Sequence, residues 1–357
     1  MAASGPVFAE APRVVDASNR AVSTPATAPQ RIVVANAAAL HTLIAVHSDK
    51  KAAIGKIVAV SGDFTSRDKA HFIDLVKLYP ELATKPVVKF GQDGQGLSPD
   101  EVLALKPDLA IVGGGGGAVQ PNSLAGKLLA AGVPVVFTDY RSNPGRNSLA
   151  SIRAVAAAVG ENPETNAFVT FYASELARVQ DVVSQIPLSQ RPSVFVELRP
   201  SAERPCCGTA GKGNIGELVE KAGGINAGSY LIETPLGQAK AASVVALKPD
   251  FYVITGSDGG AVKFGRGHKA EAAKAGLSGI AALRPDVKDI PALRNGKVIG
   301  LWHSFYNHPF NVVAVQALAQ QFYPGQFGAL DPKETERKAW GFLGLEPAGT
   351  YWQALGK

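Results

Sequence analysis

The chain has 357 residues, 46% apolar and 18% charged, which makes it globular and large enough for two hydrophobic cores. Its net charge of +6 comes without a lysine or arginine run, so nucleic acid is not an expected partner. No stretch of about 18 apolar residues is present to span a membrane. The first ten residues, MAASGPVFAE, lack the charged start and apolar run of a signal peptide. Residues 1–29, rich in Ala, Ser, Thr and Pro without a period, are expected to be a flexible tail. Residues 31–35 (RIVVA), 37–46 and 54–60 (IGKIVAV) read as strand, helix and strand, with a further helix over 66–78. In 97–117 (LSPDEVLALKPDLAIVGGGGG), Ser98 caps a helix whose first turn holds Pro99, Asp100 and Glu101. That helix must stop before Pro107, and 109–112 is a buried strand running into five glycines. Residues 126–139 repeat the theme of helix, turn and strand, the strand at 133–138.

Residues 162–187 predict one long helix. Pro163 suits the first turn, and Phe168, Tyr172, Leu176, Val179, Val183 and Ile186 recur every three or four positions, an apolar stripe closed off by Pro187 and Pro192. Beyond it, residues 243–254 (SVVALKPDFYVI) repeat 101–112 (EVLALKPDLAIV) in identical register, and each copy runs into a glycine-bearing loop. Strands at 193–198 and 297–302 and helices at 215–221 and 310–322 complete a second set in the same order. The expected class is α/β, with two Rossmann-like lobes of parallel sheet joined by one long helix and a ligand cleft between the lobes. The first lobe is 30–147, the linking helical segment 148–190 and the second lobe 191–357.

Ligands of parallel sheets bind beyond the carboxyl ends of the strands, which selects the candidate residues. The segment 302–308 (WHSFYNH) places Trp302, His303, Tyr306 and His308 directly after a strand, and tryptophan, tyrosine and histidine offer apolar contact, polar edges and metal ligands. For His308 the competing role is as a cap on the next helix, and for Trp302 a place in the core. Tyr140 and Arg141, with Arg199 and Arg204, would surround an anion through guanidinium forks. His303, His308 and His41 are the metal-ligand candidates, although His41, His47, His71 and His268 are too scattered in sequence to argue for a closed zinc site. A disulfide between Cys206 and Cys207 would span Cα atoms about 3.8 Å apart, below the usual range, and so be strained; the competing readings are two thiols or soft metal ligands. The glycine runs lack the lysine and hydroxyl of a P-loop, and no Gly-x-Ser-x-Gly or His-Glu-x-x-His occurs, so nucleotide binding and hydrolysis have no anchor.

These features resemble the helix-linked periplasmic solute-binding proteins of ABC importers for ferric siderophores, haem and cobalamin. The likeness rests on the Leu-Lys-Pro-Asp unit before a strand, on 132–136 (GVPVV), 148–152 (SLASI), 214–226 (NIGELVEKAGGIN) and 293–298 (LRNGKV), and covers about residues 30–327. It implies a periplasmic carrier, not an enzyme, with no cofactor of its own. The implied cargo is an iron chelate, most simply a ferric siderophore, with haem, cobalamin or another metal complex as the alternative. The implied partners are that small-molecule chelate and an inner-membrane ABC permease, and a monomer is expected. Each lobe of the family carries an acidic residue for permease arginines; Glu101 occupies the first position, while Ser243 stands at the second, where Glu217 or Glu233 are the substitutes to consider. From another class, the rival is a redox or metalloenzyme on the same paired lobes, with Cys206, Cys207 and His303 at its centre.

Overall fold

The computed structural model describes residues 13–24, 27–67, 69–89, 95–114 and 119–356. Glycines 115–117 of the glycine run and residues 1–12 of the expected tail lie outside them. The chain divides into two compact units, one of residues up to Thr138 with Ala150–Val169, the other of Asp139–Leu149 with Thr170 onward.

In the first unit the four expected strands, Ile57–Ser61, Ile32–Ala35, Leu109–Gly113 and Val135–Thr138, assemble in that order and all parallel, and a two-residue strand not expected from sequence, Val87–Val88, adds to the edge beside Ile57–Ser61. Residues 54–56, expected as strand, instead end a helix, Lys50–Lys56, because Asp49 caps it by accepting the Ala52 N–H at 2.9 Å. The 66–78 segment is helical from Lys69 to Leu78, after a separate short helix Gly62–Arg67. The expectation of a flexible tail over 1–29 is corrected for part of its length: Arg13–Val15 pairs with Ala21–Ser23. The buried Asp16 carboxylate organises that turn, accepting Ser18 and Arg20 N–H groups, pairing with the Arg20 guanidinium at 2.8 Å and accepting the Phe137 N–H at 3.2 Å.

The second unit is built on a sheet ordered Leu236–Gln238, Gly208–Ala210, Ser193–Leu198, Phe251–Gly256, Val298–Trp302 and Trp352–Ala354, with Ile225–Asn226 paired to the start of Ser193–Leu198. Its centre is parallel, as expected, while the 208–210, 236–238 and 352–354 strands run antiparallel at its flanks. Residues 139–147, assigned from sequence to the first lobe, group with this unit because their loop is fastened there. The Ser142 carbonyl accepts the Asn214 N–H at 2.8 Å, and Arg146 forms a salt bridge with Glu217 at 2.6 Å.

The repeated Leu-Lys-Pro-Asp unit does the same physical work twice. Lys106 and Lys248 both adopt left-handed backbone, φ +51° and +46°, and end their helices with N–H bonds to Leu103 and Val245. The aspartate then sets the following strand against its neighbour: Asp108 accepts the Gln30 and Arg31 N–H groups, and Asp250 accepts the Ser193 N–H at 2.8 Å. The backbone N–H groups of the same aspartates bond back to the Arg31 and Ser193 carbonyls. Asp250→Ala is expected to lower the stability of the second unit by about 1 kcal/mol, read as a shift in urea midpoint at unchanged m value.

The long helix is shorter than its stripe suggested, Ala167–Val183 rather than 162–187, about 25 Å at ~1.5 Å per residue. Asn162 caps only a turn, and Asn166 is the true start: its Oδ1 accepts the Phe168 and Val169 N–H groups while its Nδ2 donates to the Val46 carbonyl. The unit division falls within this helix, after Val169.

Candidate functional site

Three neighbouring parallel strands, Ser193–Leu198, Phe251–Gly256 and Val298–Trp302, deliver their carboxyl ends side by side. Thr255, near the end of the central strand, is the joint. It is buried, its carbonyl and Oγ1 both accept the Arg199 N–H, at 3.0 and 3.1 Å, and its Oγ1 lies 2.9 Å from His303 Nδ1. Arg199 sits at φ +45°, which turns the chain sharply out of the strand. His303 opens a short 3₁₀ turn, His303–Asn307, and its ring packs edge-to-face on Tyr306 with centroids 4.9 Å apart. Arg199, Thr255, His303 and Tyr306 are therefore held together by backbone and side-chain bonds at the end of the sheet where a parallel fold receives ligand.

The loop after Leu198 is anchored from beneath by residues that sequence reading missed. Glu197 is fully buried, and its two carboxylate oxygens accept Arg284 Nε at 2.6 Å and the Tyr252 hydroxyl at 2.9 Å. Burial pushes the Glu197 carboxyl up, against the pull of Arg284, and burial pushes the Tyr252 phenol well above its ordinary value. The Arg284 Nη1 donates to the Ser201 and Arg204 carbonyls at 2.9 and 3.0 Å, so one buried guanidinium ties the loop to the sheet. The loop's far end is pinned by paired backbone bonds between Cys207 and Ala239 and by Gln238 donating to the Pro205 carbonyl.

On this anchored loop Arg199 and Arg204 are exposed, and among the described residues neither guanidinium forms an ion pair. They line a cleft of about 230 Å³ with Ser201, Glu203, Ser257 and Gly259. A larger cavity of about 600 Å³ in this unit lies at the opposite, amino ends of the strands, lined by Asp250, Phe251, Lys297 and Val298 among others. The carboxyl-end cleft is the better site of the two because, unlike the larger cavity, it collects side chains that turn out of the strands beyond their carboxyl ends.

Other expected site residues fall elsewhere. Trp302 is a core residue, 6% exposed, with Phe305, Tyr351, His308 and Trp340 rings 5.2 to 6.4 Å from its own. His308 is equally buried, and its Nδ1 accepts the Phe310 N–H at 3.2 Å, which makes it a turn cap within the aromatic cluster. Tyr140 is buried, 1% exposed, whereas Arg141 beside it is exposed on a loop whose N–H groups converge on Asp139. His41 is buried in the helix Ala37–Val46 of the first unit, edge-on to Phe64 at 5.2 Å and to His71 at 6.5 Å. Among the described residues, the group that brings three metal-capable side chains together is Glu197, Cys206 and Cys207, without any of the candidate histidines. The two cysteines are joined by a disulfide. Glu101 is exposed and closes a capping box with Ser98, whose bonds hold its carboxyl below the ordinary value. Of its suggested counterparts, Glu217 is buried against Arg146, while Glu233 is exposed and pairs with Lys212 at 2.6 Å.

A basic cleft beyond the carboxyl ends of a parallel-cored sheet, with the His303 and Tyr306 ring pair at the next strand end, is the arrangement of an α/β protein that binds small molecules. Residues 32–303 match the family model described as periplasmic binding protein, and the chain belongs to that family. Among curated proteins, none matches this sequence. Solved structures share the fold. The TroA-like periplasmic binding protein FepB from Veillonella parvula is 22% identical with a TM-score of 0.82, the match covering 96% of this chain and 99% of that one. The molybdate periplasmic binding protein MolA from Haemophilus influenzae is 18% identical at TM-score 0.63, covering 94% and 98%. The periplasmic haem-binding protein RhuT from Roseiflexus sp. RS-1 is 23% identical at TM-score 0.55, covering 83% and 99%.

Proposed function

We propose that this chain is the substrate-binding protein of an ABC importer, that its cargo is a ferric siderophore, and that it hands this chelate unchanged to an inner-membrane permease. The observation that carries the reading is the pair Arg199 and Arg204, exposed in a cleft, without ion pairs among the described residues, on a loop fixed by a buried Glu197–Arg284 bridge. Fixed guanidinium forks suit the carboxylate, hydroxamate or catecholate oxygens of an anionic chelate. Arg141 is a further candidate contact, and Glu101 remains the permease-docking candidate. The His303 and Tyr306 pair favours a second reading, haem or another metal complex with a protein-derived ligand.

All three tryptophans, Trp302, Trp340 and Trp352, belong to the second unit, and Trp302 adjoins His303, so intrinsic fluorescence reports on this site. Titration with ferric hydroxamates, ferric catecholates, ferric citrate, haem and cobalamin is expected to give saturable quenching by a ferric chelate at one equivalent, with the chelate recovered intact. Arg199→Ala should weaken it about tenfold or more, the scale of one lost charge-assisted bond. Silence toward all five ligand classes sinks the reading; a response to haem alone, lost in His303→Ala, selects the second.

A further inference from the structure

We infer that Cys206 and Cys207, once reduced, form with Glu197 a binding site for one soft divalent cation of the zinc and cadmium class, active only in the dithiol state. In the disulfide-linked structure a Glu197 oxygen and the two sulfurs already lie within 4.8 Å of one another. A tetrahedral zinc site with metal–sulfur bonds of about 2.3 Å and metal–oxygen bonds of ~2.0–2.2 Å places its ligand atoms roughly 3.5–3.8 Å apart, so the carboxylate oxygen already lies within reach, while the two sulfurs, bonded here, must move apart once the disulfide is reduced. The set leaves a fourth position for water.

Glu197 is suited to the role because its carboxylate is oriented but not exhausted. It has roughly four acceptor sites. Arg284 and Tyr252 take one on each oxygen, and so stand behind the carboxylate as hydrogen-bonding partners stand behind a metal ligand. The charges also balance. Arg284 neutralises Glu197, and a dication neutralises two thiolates, so the filled site is neutral although Glu197 and Cys207 are fully buried. Cys206 is partly exposed and gives the point of entry.

The chemistry requires a reductant of the dithiol class. Its two thiols close to a disulfide as the Cys206–Cys207 bond opens, the pair of electrons and two protons passing to the protein sulfurs; the cation then displaces both protons. The cation site uses none of the Arg199 and Arg204 guanidinium groups, so it stands independently of the cargo reading.

The test is a Cd2+ titration of the intact protein, reduced by a dithiol that is then removed without air, followed by thiolate-to-cadmium charge-transfer absorption and by proton release. One Cd2+ per chain with two protons released is expected, and no such absorption from the oxidised protein. Cys206→Ser, checked by circular dichroism, should abolish the band, and Glu197→Gln should keep it with affinity at least tenfold lower. The oxidised and reduced forms of the same chain already give the comparison if a variant fails to fold. Absence of saturable absorption in the reduced protein, equal absorption in Cys206→Ser or in the oxidised form, or an affinity unmoved by Glu197→Gln overturns the site. The ferric chelate titration of the oxidised protein is read separately, so failure of either leaves the other standing.

Discussion

Replacing Arg284 by Met is expected to cost the second unit about 3–5 kcal/mol, a large part of the ~5–15 kcal/mol that holds an ordinary domain. The reason is asymmetry. A buried ion pair contributes little over a hydrophobic pair of the same shape, but deleting one partner strands the other charge. Glu197 is fully buried and Arg284 only 5% exposed, at 2.6 Å, so no water stands ready to take over. Urea unfolding followed by tryptophan fluorescence reads this unit alone, since it holds every tryptophan. Glu197→Gln in the Arg284→Met background should restore well over half of the loss, because the stranded charge is gone while an amide still meets Tyr252. The loop gives a second readout: without Arg284 bonded to the Ser201 and Arg204 carbonyls, Arg204 and its neighbours lose their fixed seat, and the double variant should regain stability without regaining ligand affinity. A single variant within 1 kcal/mol of the parent would show that the pair does not anchor the loop.

That anchor was invisible in the sequence, for physical reasons. Arg284 sits in AALRPDV, which reads as the end of a solvated helix, and its partner is 87 positions away. Pairing of that range is decided by sheet order, and periodicity carries no trace of it. The sheet itself was far more legible. The strand at 193–198 and the helix at 215–221 stand at the expected residues. The Leu-Lys-Pro-Asp repeat announced two equivalent helix-to-strand joints because its residues act locally, through a left-handed stop, a helix-breaking ring and a carboxylate for the adjacent strand's N–H. Local chemistry also misled. Asn162-Pro163 looked like a helix start, yet Asn166 won because it both caps and ties itself to Val46. In WHSFYNH the composition pointed to a site but could not apportion it, since His303 and His308 differ only in which ring finds Thr255 and which finds Trp340. Trp302 went to the core for the same reason that the fold needs it there, with the strand Trp352–Ala354 closing over that edge.

The same aromatic core leads to an effect of pH. Glu336 lies on the helix Pro332–Gly341, 2% exposed, and burial raises its carboxyl from 4.5 to about 7, with Lys333 at 3.3 Å opposing the rise. A carboxyl raised on folding binds its proton more tightly in the folded state, so its contribution to stability is whole below about pH 4.5 and is lost as pH climbs through 7. At ~1.4 kcal/mol per unit, the loss comes to roughly 3 kcal/mol by pH 8. Glu336→Gln cannot ionise, so relative to the parent it should gain about that amount between pH 4.5 and 8, and Lys333→Met should be costly at pH 8 and nearly silent at pH 4.5. Melting temperatures of the three proteins at both pH values decide it, and parallel pH profiles for parent and Glu336→Gln would refute it. The consequence reaches the carboxyl end of the sheet: this helix also carries Trp340, whose ring meets Trp302 at 6.4 Å and His308 at 5.5 Å. Ionising Glu336 is expected to loosen the packing behind the strand that presents His303 and Tyr306, and ligand affinity in the parent, but not in Glu336→Gln, should fall as pH is raised from 6 to 8.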